Sequence, residues 1–336
     1  FAVESNMDIL AEELGMDPVE LRRKNAMRVG TMTATGQVLR ESVGMVECLE
    51  KVTKDIGDWG LGIGDWARHE EQSPISQFPI PNPWSPITIG TKRYAWGLAA
   101  GYKNTGLGGG APDKSEAEVE VYTDGTVAIR TSSAEMGQNL IGVLAACTAE
   151  ELGLPFERVK VLVMDTDLTP DGGPTTASRQ TYVSGNAARL AARTMRERLQ
   201  GVLAEKFDVP PEVITFHEGL AYVDAERLER VQGNEEQRSK NGSANGHGNS
   251  NGNGDRSSFL DLRSSQSISF ADAVQALLDE GREPNLRYEY WAPKTQPLGT
   301  GGDMHFAFSY AVHAAQVSVD LETGEIAVEK VSTAHD

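Results

Sequence analysis

Residues 117–152 read AEVEVYTDGTVAIRTSSAEMGQNLIGVLAACTAEEL, and both kinds of regular structure occur in this one stretch. Ala117, Val119 and Val121 alternate with Glu118 and Glu120, a period of two that puts apolar side chains on one face of a strand. Asp124-Gly125 turns the chain, and Val127 and Ile129 carry the return strand. Then the period changes. Leu140, Val143, Leu144, Cys147 and Leu152 predict a helix over about 139–152, and Val159 to Val163 follows as a short strand. Strands that pair as hairpins and also feed helices predict an α+β fold, with mixed and antiparallel sheets and helices packed on them.

Downstream, a loop at about 165–183 leads into a predicted helix at about 185–204, with Ala188, Leu190, Ala191, Met195 and Leu199 on its apolar face. Phe270, Val274, Leu277 and Leu278 suggest a shorter helix. The run Ala315, Val317, Val319, a turn at Glu322-Thr323-Gly324-Glu325, and Ile326, Val328, Val331 reads as a second hairpin. Upstream lie a strand at about 93–102 and a glycine-rich loop from Gly106 to Gly110. Residues 72–90 carry Pro74, Pro79, Pro81, Pro83 and Pro86 and read as extended connecting loop. At the start, Val3, Met7, Leu10, Ala11 and Leu14 repeat at helical spacing, and Gly15 ends that helix. Asp17-Pro18 restarts one, with Asp17 as N-cap and Leu21 facing inward, as far as about Asn25. Residues 233–257, GNEEQRSKNGSANGHGNSNGNGDRS, contain no apolar side chain larger than alanine and are expected to be a disordered insert.

Composition narrows the functional classes. With 31 Lys+Arg against 49 Asp+Glu the formal charge is −18, which repels nucleic acid and anionic lipid surfaces. No apolar run approaches the ~20 residues of a membrane helix. Two distant cysteines, Cys48 and Cys147, exclude a disulfide framework, suit a reducing, cytoplasmic setting, and fall short of the roughly four that an iron–sulfur cluster takes. The six histidines show no short ligand spacing. The chain starts at Phe1 within an apolar pattern and ends at Asp336 straight after a strand-like run, so a piece of a longer polypeptide is expected.

Two segments concentrate chemistry. Glu135-Met136-Gly137-Gln138-Asn139 lies between a strand and a helix; Gly137 allows close backbone approach, and the helix start offers N–H groups to an anion. An ordinary strand-to-helix turn with Gln138 as a polar cap would look the same. Pro174 to Asn186, PTTASRQTYVSGN, gathers five Ser/Thr hydroxyls and one guanidinium in an acidic chain, a donor set suited to a polyanion rich in oxygen. A Ser/Thr-rich surface loop with Ser184 as N-cap is the plainer alternative. Gly106 to Gly110 superficially resembles a phosphate loop, which would make a nucleotide-binding enzyme, but it lies between two strands and a flexible connector is the better reading. His305 and His313 flank a strand-like stretch, where a buried or partner-facing role is more probable than metal ligation.

Taken together, four runs resemble the molybdenum-cofactor-binding large subunit of the xanthine dehydrogenase/aldehyde oxidase family. They are FAVESNMDILAEELGMDPVELRRKN from Phe1, SAEMGQN from Ser133, LGLPFERVKVLVMDTDLTPDGGPTTASRQTYVSGNA from Leu152, and HFAFSYAVHAAQVSVDLETGEIAVEKVSTAHD from His305. The resemblance implies a molybdenum–pyranopterin cofactor and hydroxylation of an aldehyde or N-heterocycle carbon with water as oxygen source. It leaves open the substrate and whether the pterin carries a nucleotide. It implies partner iron–sulfur and FAD subunits, as in a dimer of heterotrimers. By position, Gln138 would sit beside the molybdenum–pterin unit, with Gly137 letting its loop approach. Ala177 would place small backbone next to the metal, and Thr176, Ser178 and Arg179 would bind pterin or phosphate oxygens. Gly106, Leu107 and Gly108 would fall near the substrate pocket wall. Residues 1–44 would be the tail of a first cofactor-binding domain and 45–336 most of a second. Asn139 stands where the family motif has a second glycine, and asparagine tolerates left-handed backbone. The family's general-base glutamate would fall beyond Asp336, so this stretch alone is expected to be inactive. The alternative expectation is a non-catalytic relative that keeps the fold as a binding or assembly module.

Overall fold

A computed structural model describes residues 1–59, 84, 86–231 and 267–336. The proline-rich segment is thereby described only at Trp84 and 86–90, and the expected insert at 233–257 lies outside the described residues. The chain divides into two compact units, one made of Phe1–Ala111 with Lys294–Asp336, the other of Pro112–Pro293. Residues 1–44 belong to the same compact unit as 45–111.

The first unit carries α1 (Ala2–Glu13), α2 (Pro18–Asn25), α3 (Met45–Trp59), β1 (Ile87–Ile89), β2 (Lys92–Thr105), β10 (Ala307–Asp320) and β11 (Ile326–His335). Its antiparallel sheet runs β1-β2-β10-β11. Met45, Cys48, Leu49, Val52 and Ile56 form one stripe of α3 and pack on Trp96, Leu98, Tyr310, Val312 and Ala314 of the sheet. Asp17 caps α2 by accepting the N–H groups of Val19 and Glu20 at 2.8 and 3.1 Å, as the Asp-Pro pair predicts. The expected apolar face of α1 is not a core face here: Ala11 is buried, while Val3, Leu10 and Leu14 are exposed. What ties α1 down is ionic. Arg22 of α2 is buried, pairs with Glu4 at 2.7 Å and donates to the carbonyl oxygens of Glu4 and Leu98, while Glu4 also accepts the N–H of Ala100.

The glycine-rich loop is packed, neither a flexible connector nor a phosphate cradle. Gly109 N–H donates to the Met304 carbonyl and Gly110 N–H to the Thr295 hydroxyl. A side chain at Gly108 would begin 2.2 Å from His305 Nδ1. His305 is clasped by Gln37, which bonds both its N–H (3.0 Å) and its carbonyl (2.7 Å).

The second unit has β3 (Lys114–Val121), β4 (Val127–Thr131), α4 (Leu140–Leu152), β5 (Val159–Val163), α5 (Gly185–Phe207), β6 (Ile214–His217), β7 (Leu220–Val223), β8 (Ser267–Ser269), α6 (Phe270–Asp279) and β9 (Asn285–Trp291). A four-stranded sheet runs β5-β4-β3-β9, with β4 and β5 parallel and the other pairs antiparallel; β6-β7-β8 form a small antiparallel sheet. One core joins the inner faces of β3 and β4 (Val119, Val127, Ile129) to Leu144 and Leu152 of α4 and to Ala188, Ala191, Met195 and Leu199 of α5. The alanines let α4 and α5 approach closely, as helix–helix packing rewards. Because α4 crosses between two parallel strands, the loops after β4 and after β5 emerge at the same, carboxyl, end of the sheet.

Candidate functional site at the carboxyl ends of two parallel strands

The two segments singled out in the sequence leave from neighbouring strands and meet. Beyond β4 the chain continues beside the loop that follows β5. Ser132 N–H donates to the Pro170 carbonyl (2.9 Å), Gly172 N–H to the Ser132 hydroxyl (2.7 Å), and Ala134 N–H to the Thr175 hydroxyl (2.7 Å). Below them lies a buried hydroxyl cluster: Ser184 Oγ is 3.1 Å from both Ser115 and Ser133 and donates to Gln180 Oε1 at 2.6 Å. Gln180 in turn donates to the Thr175 hydroxyl at 3.0 Å.

The 135–139 loop is held from within. Glu135 accepts the N–H groups of Gly137 (2.8 Å), Asn139 (3.1 Å) and Ile141 (3.0 Å). Those bonds, that of Ile141 first, hold its carboxyl below the ordinary glutamate range. The α4 N-terminus therefore already has an anion, and the expectation that its N–H groups are open to a ligand is corrected. Gln138 is exposed; its amide donates to the Ala134 carbonyl (2.9 Å) and its oxygen accepts the Met136 N–H (2.6 Å). Asn139 takes left-handed backbone, φ 62°, which its residue type tolerates. At Gly137, φ is 99° and a built Cβ meets nothing within 4 Å, so open space lies there.

The 172–179 loop is braced differently. Arg179, the expected ligand-binding guanidinium, is 0% exposed. Its Nε donates to Asp113 at 2.7 Å, and its terminal nitrogens to the carbonyls of Gly172 and Pro174 (2.9 Å each) and Lys114. Its donors are spent inside the protein, so direct contact with a ligand is corrected to a bracing role. Ala177 and Ser178 both lie in the left-handed region, φ 52° and 53°. Each such non-glycine residue costs about 1–2 kcal/mol and persists because its surroundings fix it. Gly173, at φ 68°, has no room for a side chain: a Cβ would lie 2.8 Å from the Lys114 carbonyl and 3.0 Å from Arg179. A single π-type turn, Gln180–Ser184, then leads into α5. Its Tyr182 bonds Tyr290 of β9, whose phenol burial and that bond push up to about 12.

The main-chain N–H groups of Thr175, Thr176, Ala177 and Ser178 have no acceptor among the described residues. Thr176 and Ser178 are exposed and Ala177 is half-buried. Four consecutive amides with small side chains, held rigid from behind, suit a ligand bearing several oxygens. The structure thus brings Gly137, Gln138, Thr176, Ala177 and Ser178 to one end of one sheet. Gly106, Leu107 and Gly108 belong to the other compact unit. Sequence reasoning missed Asp113, and it gave Glu135 and Thr175, which lie in the two quoted segments, no individual role. Glu135 stood in the quoted motif, but four residues ahead of the N-cap Asn139 it matches no capping box, whose glutamate lies three residues after the cap.

Comparison with known proteins shows the family. Residues 85–336 match the family model of the molybdopterin cofactor-binding domain, and the chain belongs to that family. Among curated relatives, it is 34% identical over 200 residues to an aldehyde oxidoreductase of Megalodesulfovibrio gigas, covering 58% of this chain and 19% of that protein. It is 32% identical over 200 residues to a putative xanthine dehydrogenase molybdenum-binding subunit of Escherichia coli, covering 59% of this chain and 24% of the relative. Among solved structures, quinoline 2-oxidoreductase of Pseudomonas putida superposes with a TM-score of 0.60 at 20% identity, over 100% of this chain and 36% of that one, a likeness of fold. The chain therefore spans about a quarter or less of the length of these curated relatives.

Proposed function

We propose that this chain is the cofactor-cradling part of a molybdenum hydroxylase that oxidises an aldehyde or N-heterocycle carbon with water as the oxygen source. The observation that carries the reading is the joining of the two loops through Ala134 and Thr175, beside four amides with no acceptor among the described residues. That donor set fits a molybdenum–pyranopterin group, whose pterin and phosphate oxygens call for amides and small side chains. Thr176, Ala177 and Ser178 would hold it from one loop and Gly137 and Gln138 from the other, with the Ala177 backbone nearest the metal. When bound, the group supplies the two-electron oxidation of the carbon centre. The chain's own residues bind it and orient it, and Glu135 and Arg179 keep both loops in place beforehand, so little ordering is left for binding.

In this reading the substrate is a small aldehyde or heterocycle. Electrons leave through partner iron–sulfur and FAD subunits in a cytoplasmic assembly. Residues 1–44 and 45–336 then belong to successive cofactor-binding domains, and this stretch is inactive alone. The test is metal and pterin analysis of the longest natural reading frame that contains the chain. Stoichiometric molybdenum is expected, and its absence under good loading conditions overturns the proposal.

A further inference from the structure

We infer that Asp113 is a positioning residue for the cofactor loop, acting through Arg179; the inference rests on the cofactor reading above. Asp113 is buried just ahead of β3, far in sequence from the loop it would control. Its carboxylate receives the Arg179 Nε–H at 2.7 Å, with the two side chains 5% and 0% exposed.

Three observations link this pair to the ligand-facing backbone. First, Arg179 gathers the carbonyls of Gly172 and Pro174 from its own loop, so the guanidinium closes 172–179 into a ring. Second, the residues directly before it, Ala177 and Ser178, are the consecutive left-handed pair. Third, Gly173 is walled by the Lys114 carbonyl and by Arg179 itself, so the loop closes onto the cation without a gap. A buried guanidinium stays in place where a carboxylate compensates its charge. With Asp113 neutralised, the cation gains by turning toward water and releases the carbonyls it gathers. The strained pair then relaxes, and the amides of Thr175 to Ser178 lose their common arrangement. Asp113 touches no ligand in this scheme; it fixes the shape of the residues that do.

The experiment is Asp113→Asn in the longest natural reading frame containing the chain, with two readouts. Amide hydrogen exchange, measured without cofactor, is expected to quicken at least tenfold at the hydrogen-bonded amides of the loop, those of Gly172, Gly173 and Arg179, while α5 keeps its protection. Molybdenum and pterin retained after dialysis are expected to fall at least tenfold, and Asp113→Glu, which keeps the charge, recovers part of both. Uniform acceleration that includes α5, or no change at 172–179, overturns the inference. Should Asp113→Asn prove insoluble, Arg179→Lys serves, since one ammonium cannot reach the scattered acceptors and the same local exchange pattern is expected; unchanged exchange there also overturns it. Lack of molybdenum in the unsubstituted protein would instead overturn the cofactor reading, and exchange in the metal-free chain would still decide the role of Asp113.

Discussion

Replacing Gly173 by alanine tests how tightly the 172–179 loop is closed. Two costs add at this position. Its φ of 68° is left-handed, for which an alanine Cβ costs about 1–2 kcal/mol. The same Cβ would lie 2.8 Å from the Lys114 carbonyl, which is backbone in β3, and 3.0 and 3.1 Å from Arg179, which four hydrogen bonds hold. Neither neighbour yields easily, so overpacking adds about 1–3 kcal/mol. The sum is about 2–5 kcal/mol. Gly281→Ala is the internal control: φ is 69° but the Cβ meets nothing within 4 Å, so the conformational cost stands alone. Urea unfolding of both variants, read as a shift of midpoint at constant slope, isolates the steric part as their difference. That difference is roughly a factor of five to over a hundred in the folding equilibrium. If Gly173→Ala costs no more than Gly281→Ala, the loop is not closed against β3 and the bracing argument fails.

Arg22→Ala strands Glu4 and unties α1 from α2 and β2; chemical denaturation is expected to show a loss of about 3–5 kcal/mol, the range for breaking one side of a buried pair. Ser184→Ala leaves Ser115, Ser133 and Gln180 without their shared partner, for an expected loss of about 1–3 kcal/mol and little change in far-ultraviolet circular dichroism. Stability should fall in acid through two windows. Burial above all, then the charge of Lys103, depresses the His305 pKa below 6.5, so the fold favours the neutral ring; its contribution is complete above that pH and is lost as pH falls below it. Asp320, lowered from 3.8 to about 2 by the N–H of Thr323, the Thr91 hydroxyl and the N–H of Glu322, contributes above about 4 and is lost toward 2. Stability measured against pH for Asp320→Asn should flatten in the lower window alone.

Local periodicity carried much of the second unit. The β3–β4 hairpin, α4, β5 and α5 lie where the alternation and helical spacing of 117–204 put them, because each element there buries a regular face in one core. The same logic misled at the margins. In β10 and β11 the visible valines and isoleucine lie on the face away from the core, with Ile326, Val328 and Val331 exposed and Val317 and Val319 half-buried, and the core side is Tyr310, Val312 and Ala314. A bulge between Gln316 and Val317 explains why the apolar positions of β11 switch from even numbers to odd. The α3 stripe was legible in Met45, Cys48, Leu49, Val52 and Ile56 and went unread. At the site, residue type indicated a place but not a role. Arg179 looked like an anion ligand because it sits among hydroxyls, and nothing local discloses Asp113, 66 residues earlier, as its partner. Nor could composition show that Glu135 already fills the helix end.

The order of segments has a consequence for how the chain is made. Unit one is interrupted: β2 is synthesised before the whole of Pro112–Pro293 and its partner β10 only afterwards, yet Thr105 pairs with Ala307. Pairing across so long an unstructured tether is slow, since closure entropy comes due before any contact rewards it. The intervening unit removes most of that delay, because the Ala292 N–H donates to the Asp113 carbonyl at 2.9 Å and so joins its two ends. Once the inserted unit has folded on the ribosome, the late-arriving strands meet a short bridge in place of a long one, and the sheet of the first unit can be completed as the last strands emerge.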